Sequence, residues 1–281
     1  MSSIESAMSE APPAVAMGPS YRPALTQVPE PARTLLEKWS GIAPESIAKH
    51  VNDLRDRAYK VYPYASIGLF TFLDLDLPLC PDYPEVLQRV KNGQLFLDLG
   101  CCFAQEVRLL ISDGAPPQNV YGADLSATFI DMGYELFLDK LKLGARFITD
   151  DIFSPESILA AEFTNRLHIV HASNFFHLWN WDRQVEAAKL VVKLLAPEPG
   201  SMIIGSQVGS KRARALELPV SKDPLFIQSL KTFRLLWEQV GRETGVKFEV
   251  TVEEHRFSEQ DAYAWPEELE AFRMIFVVRR T

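Results

Sequence analysis

Carboxylates fall at the ends of short apolar runs in this sequence, a spacing that suits the capture of a nucleoside. The run Leu95-Phe96-Leu97-Asp98-Leu99-Gly100-Cys101-Cys102-Phe103-Ala104 passes from apolar residues through an acid to a glycine and small residues. Asn119-Val120-Tyr121-Gly122-Ala123-Asp124-Leu125-Ser126 carries Asp124 near its end, and Ala145-Arg146-Phe147-Ile148-Thr149-Asp150-Asp151-Ile152 carries a pair of acids. In nucleotide-binding α/β folds a carboxylate at the tip of the second strand takes ribose hydroxyls, and the ligand lies in the crevice beyond the strand tips. Gly100 permits a sharp turn and close approach of a ligand to the backbone. A dinucleotide would need further glycines for its pyrophosphate, and those places hold Cys102 and Gln105. The turn therefore suits a phosphate-free nucleoside, and three acidic strand tips suit one that carries positive charge. A fourth apolar run, residues 167–174, leads into Phe175-Phe176-His177-Leu178-Trp179. That segment is expected at the switch point between the first and fourth strands, facing the reactive end of the ligand.

Strand, turn and helix must alternate to bring these groups to one edge. After Gly100, Val107, Leu109, Leu110 and Ile111 give a helical pattern, the start of a βαβ unit. Upstream, Pro44 fits an early helical position, and Ile47, Val51, Leu54, Ala58 and Val61 follow at helical spacing until Tyr62-Pro63-Tyr64. Ser154-Pro155-Glu156 predicts a helix start capped by Ser154. Val185, Ala188, Val191, Val192 and Leu195 mark another helix, residues 201–207 a fifth strand, and residues 208–222 an irregular loop that could border an acceptor pocket. Asp223-Pro224 predicts the start of a helix carrying Leu225, Phe226, Ser229, Leu230, Phe233, Leu236, Trp237 and Val240. Residues 246–252 and 274–278 have strand character. The expected division is a flexible, Pro-rich arm over residues 1–30, a helical cap or lid over 31–92, and the ligand-binding domain over 93–281.

The 281 residues suffice for one large α/β domain with additions. A net charge of −8 argues against general nucleic-acid binding, which needs basic patches. The three cysteines, Cys80, Cys101 and Cys102, form no even framework and suit a reducing, cytoplasmic setting. No zinc-type spacing is present, and the odd separation of His168 and His171 on a strand sends them to opposite faces. No apolar run approaches a membrane span, and no signal peptide is expected.

At Asp98-Leu-Gly-Cys-Cys, Tyr-Gly-Ala-Asp124-Leu, Asp150-Asp151-Ile-Phe and Ala-Ser173-Asn-Phe-Phe-His177-Leu-Trp the chain resembles class I S-adenosylmethionine-dependent methyltransferases. Within them it is similar to the fungal meroterpenoid-pathway carboxyl O-methyltransferases. It departs from the class in keeping only Gly100 of the usual two or three loop glycines. The resemblance implies an α/β fold with a Rossmann-like seven-stranded sheet, helices on both faces, an N-terminal helical cap and a closing antiparallel hairpin. It implies S-adenosyl-L-methionine as cofactor, with Asp98, Gly100, Asp124, Leu125, Asp151, Ile152 and Asn174 binding it, and it makes His177, where family members often carry a His or polar residue facing substrate, the leading catalytic candidate, either as a base toward a hydroxyl or as a residue that orders the loop. It places Tyr62, Tyr64, Phe70 and Phe72 near the lid, where ordinary core roles are an equal reading. The implied reaction is methyl esterification of a farnesylated dimethylorsellinate-type acid, with a homodimer expected. A phenol acceptor, a regulator that binds cofactor without turnover, and an NAD-dependent oxidoreductase stay open as alternatives.

Overall fold

Runs such as Phe96-Leu97-Asp98-Leu99 are buried on both faces, which only a sheet covered by helices on each side can provide. The computed structural model describes residues 21–216, 224–257, 265 and 269–281. Strands β1 (Phe96–Leu99), β2 (Val120–Asp124), β3 (Arg146–Thr149), β4 (Ile169–His171) and β5 (Met202–Ser210) run parallel. Strands β8 (Phe248–His255) and β9 (Ala271–Arg280) complete a seven-stranded sheet ordered β3-β2-β1-β4-β5-β9-β8, with β9 antiparallel to both neighbours. The order reverses between β1 and β4, so a crevice opens beyond their tips.

Alternation along the strands sorts the core into two layers. Phe96, Met202, Ile204 and Val277 face one layer with Leu36, Val51, Val86, Val107 and Phe129. These come from α1 (Ala32–Lys38), α2 (Pro44–Val61), α4 (Tyr83–Lys91), α5 (Gln105–Ser112) and α6 (Ala127–Phe137). Leu97, Leu99, Ile203 and Phe276 face the other with Leu159, Val191 and Trp237. Those belong to α7 (Ile158–Phe163), α8 (Trp181–Leu194) and α9 (Leu230–Thr244). The short α3 (Ala65–Gly68) joins α2 to the segment before α4.

Several expected boundaries move, each for a local reason. α7 starts at Ile158, with Ser157 accepting the Ala160 N–H, while Ser154 Oγ only accepts the Glu156 N–H in a turn. Helix α9 starts at Leu230 because Ser229 and Thr232 close a capping box. Leu225–Ile227 is instead a strand, β7, paired with β6 (Arg214–Leu216). Within the expected loop after residue 207, β5 continues to Ser210 and β6 follows, while residues 217–222 lie outside the described residues. β4 ends at His171 rather than Asn174, since Asn174 turns into the left-handed region (φ +50°) and donates its N–H to Ser206 O (2.7 Å).

Of the expected arm, residues 1–20 lie outside the described residues, and 21–30 are docked on α2. Leu25 and Val28 are buried, Asn52 pairs with both backbone groups of Leu25, and the buried Arg55 donates to the carbonyls of Arg22, Pro23 and Gly68. Among the described residues no helix is long and apolar enough to cross a membrane, and no cluster of residues could hold a metal.

Candidate active site

Gly100, at φ +74°, turns the chain out of β1, and the N–H groups of Gly100 and Cys101 both donate to Ala123 O (2.8 and 2.9 Å). This ties the loop to the tip of β2. Asp124, the last residue of β2, then accepts the Cys102 N–H at Oδ2 and the Ser126 N–H at Oδ1, both at 2.8 Å. Each oxygen keeps a lone pair for a ligand hydroxyl. Burial pushes this carboxyl up to about 6, against the pull of the two N–H groups, so it is ionised at neutral pH. The Asp150 N–H donates to Asp124 O (3.1 Å), which sets the β3 tip beside it.

The two acids at that tip have different fates. Asp150 is consumed structurally, accepting the Ser157 hydroxyl (2.7 Å) and the Leu159 N–H (2.9 Å) at the start of α7. Among the described residues the Asp151 carboxylate accepts only the Phe153 N–H (3.0 Å), with Ile152 buried next to it. Leu125 is half-buried beside Asp124, and Asn174 is exposed on the turn after β4.

Asp98 is buried and stands opposite His171 in the β1–β4 register. His171 Nδ1 lies 2.8 Å from Asp98 Oδ1, and its Nε2 lies 2.9 Å from Ser173 Oγ, which accepts the Ser206 N–H (3.0 Å). Burial opposes charge on this imidazole, but Asp98, Glu106 and Asp76 overcome it and raise it to about 9. Glu106, on α5, accepts the N–H groups of Asp76 and Leu77, and burial raises its carboxyl well above the usual range. His171 and Glu106 were not among the expected site residues. The signal available for His171 was a titratable residue inside an otherwise apolar β4 run, at the register of Asp98.

Aromatic rings roof the strand tips. Phe175 covers Gly100 so closely that a Cβ there would lie 2.9 Å from its Cδ2. Its ring is edge-on to Trp179 (5.0 Å), which is edge-on to Phe153 (5.2 Å), over which Arg183 sits at 3.4 Å. From the cap, Tyr64 packs on Tyr62 (4.3 Å) and Phe129 (6.0 Å), and burial together with nearby Asp124 raises its phenol. Phe70 and Phe72 are core residues: Arg55 stacks on Phe70 (4.0 Å), and Phe72 meets Phe103 edge-on (5.0 Å).

His177 sits in the single turn Phe176–Leu178, only 6% exposed, with no partner for Nδ1 among the described residues. Burial drives its pKa down to about 4, so the ring is neutral. Its neighbour Trp265, edge-on at 6.0 Å, belongs to an apolar cluster with Val208, Leu225, Ile227 and Leu269. Gln207, buried on β5, also has both amide atoms unpartnered among the described residues, another feature that periodicity alone did not flag.

Carboxylates without a phosphate cradle, at the tips of a sheet in this strand order, define an S-adenosylmethionine-dependent methyltransferase of the α/β class. Comparison with known proteins agrees. Residues 20–73 match the family model "Meroterpenoid methyltransferase N-terminal domain". The methyltransferase adrK of Penicillium roqueforti is 42% identical over 255 residues, covering 91% of this chain and 90% of that protein. The Asnovolin E/Chermesin D methyltransferase nvfJ of Aspergillus novofumigatus is 42% identical over 226 residues, covering 80% and 81%. Among solved structures, a Burkholderia thailandensis 1,6-didemethyltoxoflavin-N1-methyltransferase aligns with a TM-score of 0.51 at 13% identity, covering 85% of this chain and 91% of that one. The chain belongs to the fungal meroterpenoid-pathway methyltransferases, enzymes of secondary metabolism.

Proposed function

We propose that this enzyme methylates the carboxylate of a prenylated aromatic acid, of the farnesylated dimethylorsellinate type, to give a methyl ester. S-adenosylmethionine supplies a methyl group already activated on a sulfonium. Asp124 would hold the ribose, Asp151 and Ile152 the adenine, and Asp98 and Gly100 the amino-acid portion, with Leu125 and Asn174 lining the same crevice. The observation that favours a carboxylate acceptor is the state of His177. A base whose conjugate acid sits at about 4 faces a phenol near 10 with a gap of about six units, roughly 8 kcal/mol uphill for full proton transfer. A carboxylate arrives ionised and needs only alignment and exclusion of water. The unpartnered Nδ1 of His177 and amide of Gln207 are polar groups suited to orienting it, and the cluster around Trp265 suits a prenyl chain.

The reading includes work in the reducing cytoplasm, where the three cysteines stay thiols, and a homodimer, testable by light scattering. Incubation with methyl-labelled S-adenosylmethionine and a prenylated aromatic acid should yield a base-labile labelled ester. A base-stable ether would move the assignment to phenol methylation. Cofactor binding with no transfer to any acceptor would make the chain a regulator. His177→Ala should leave kcat on an acid substrate close to wild type and raise at most KM.

A further inference from the structure

We infer that Trp39, Asp139 and Arg108 form a brace through which the N-terminal helices set the shape, and hence the affinity, of the cofactor loop. The inference rests on the reading that this loop holds the cofactor. Between Gly100 and α5 the loop keeps two non-glycine residues in left-handed backbone, Cys102 at φ +49° and Ala104 at φ +52°. Such residues persist only where their surroundings over-determine them. The fully buried Arg108 provides that constraint from one turn further along α5. Its Nη1 donates to the carbonyls of Phe103 (2.7 Å) and Ala104 (3.1 Å). Its Nε and Nη2 donate to the two oxygens of the buried Asp139 (2.8 and 3.0 Å). Asp139 Oδ2 also accepts the indole N–H of Trp39 (2.8 Å), directly after α1.

Helix α6 closes the loop from its other side. A Cβ on Gly133 would lie 2.5 Å from Phe103 O, so the carbonyl gripped by Arg108 sits in a notch that only glycine leaves open. One residue before Phe103, the Cys102 N–H donates to Asp124. A continuous path therefore runs from the cap, through a bidentate ion pair and two backbone carbonyls, to the carboxylate assigned to the ribose. Arg108 acts through the loop backbone and is a positioning residue.

Arg108→Met would strand Asp139 in the core and unfold too readily to be informative. Two milder changes in the full chain test the brace. Trp39→Phe keeps the ring and removes the N–H, and Gly133→Ala presses a methyl on Phe103 O. Each should raise the Kd for S-adenosylhomocysteine and the KM for the methyl donor by roughly three- to thirtyfold, the span of typical site-to-site coupling. The kcat at saturating donor should stay near wild type, a split that mere loss of stability would not produce. Wild-type donor affinity in both variants, while Asp124→Asn still weakens it, would overturn the brace and leave the site reading standing. Failure of the wild-type chain to bind S-adenosylhomocysteine would overturn both.

Discussion

Donor binding should depend on pH through one group, and the structure allows the size of the effect to be worked out. Asp124 carries a carboxyl pushed by burial from an ordinary 3.8 up to about 6. Ribose hydroxyls need it as an acceptor, and a sulfonium favours its charge. If only the ionised form binds, the apparent Kd scales inversely with the ionised fraction. At pH 5 that fraction is about one in eleven, so affinity for S-adenosylhomocysteine should be roughly tenfold weaker than at pH 8. Tyr64 and Cys102, which lie close enough to feel its charge, are both raised by burial and stay protonated through this window. Fold stability should move the opposite way. A carboxyl raised on folding contributes stability that is present below about pH 4 and lost as pH rises through about 6, so the ligand-free chain gains from this group as binding declines. Asp124→Asn should remove both trends and cost about 1.5–3 kcal/mol of donor binding, the range for hydrogen bonds to a charged group. Isothermal titration with S-adenosylhomocysteine from pH 5 to 8, paired with thermal melts of the free chain, reads both quantities. A flat wild-type affinity across that range, or an Asp124→Asn variant that binds as well as wild type, would refute the reasoning.

Gly100→Ala should destabilise the fold by about 1–2 kcal/mol for left-handed backbone alone, and weaken donor binding further because the new methyl meets Phe175 at 2.9 Å; urea denaturation and titration separate the two. Stability should fall as pH rises from 7 through about 9. His171 is raised on folding, so its contribution is present below its ordinary 6.5 and lost through about 9, and Glu106, raised by burial, shifts stability the same way. His171→Asn should remove the His171 share of that decline in melts and leave the share carried by Glu106. Ser229→Ala should cost about 1 kcal/mol in urea denaturation by opening the capping box of α9, without changing donor affinity.

The acidic strand tips were legible in the sequence because β1 and β2 read as short apolar runs with a single charge at or next to their last residue. The final hairpin and α2 were legible for the same reason: long runs of one periodicity leave little choice. What escaped was decided across the chain rather than along it. Leu225-Phe226-Ile227 fits a helix stripe as well as a strand, and only pairing with residues 214–216 makes it β7. Asp150 and Asp151 are equivalent as sequence, yet the start of α7 uses up one and leaves the other available. Spacing excluded His171 from a metal pair with His168 but could not supply its true partner, Asp98, seventy-three residues away. Residues 21–30 have the composition of a mobile arm, but Arg55, at an ordinary helix position, collects their carbonyls.

Strand β9 is wedged between β5 and β8, yet it is the last of the three to be synthesised. Until residues 271–280 leave the ribosome, β5 offers an open edge of nine buried-type residues, and β8 has no neighbour at all. From the completion of β5 until β9 emerges, the nascent chain must therefore carry an incomplete, adhesive sheet, a stage at which chaperones would be expected to matter in recombinant production.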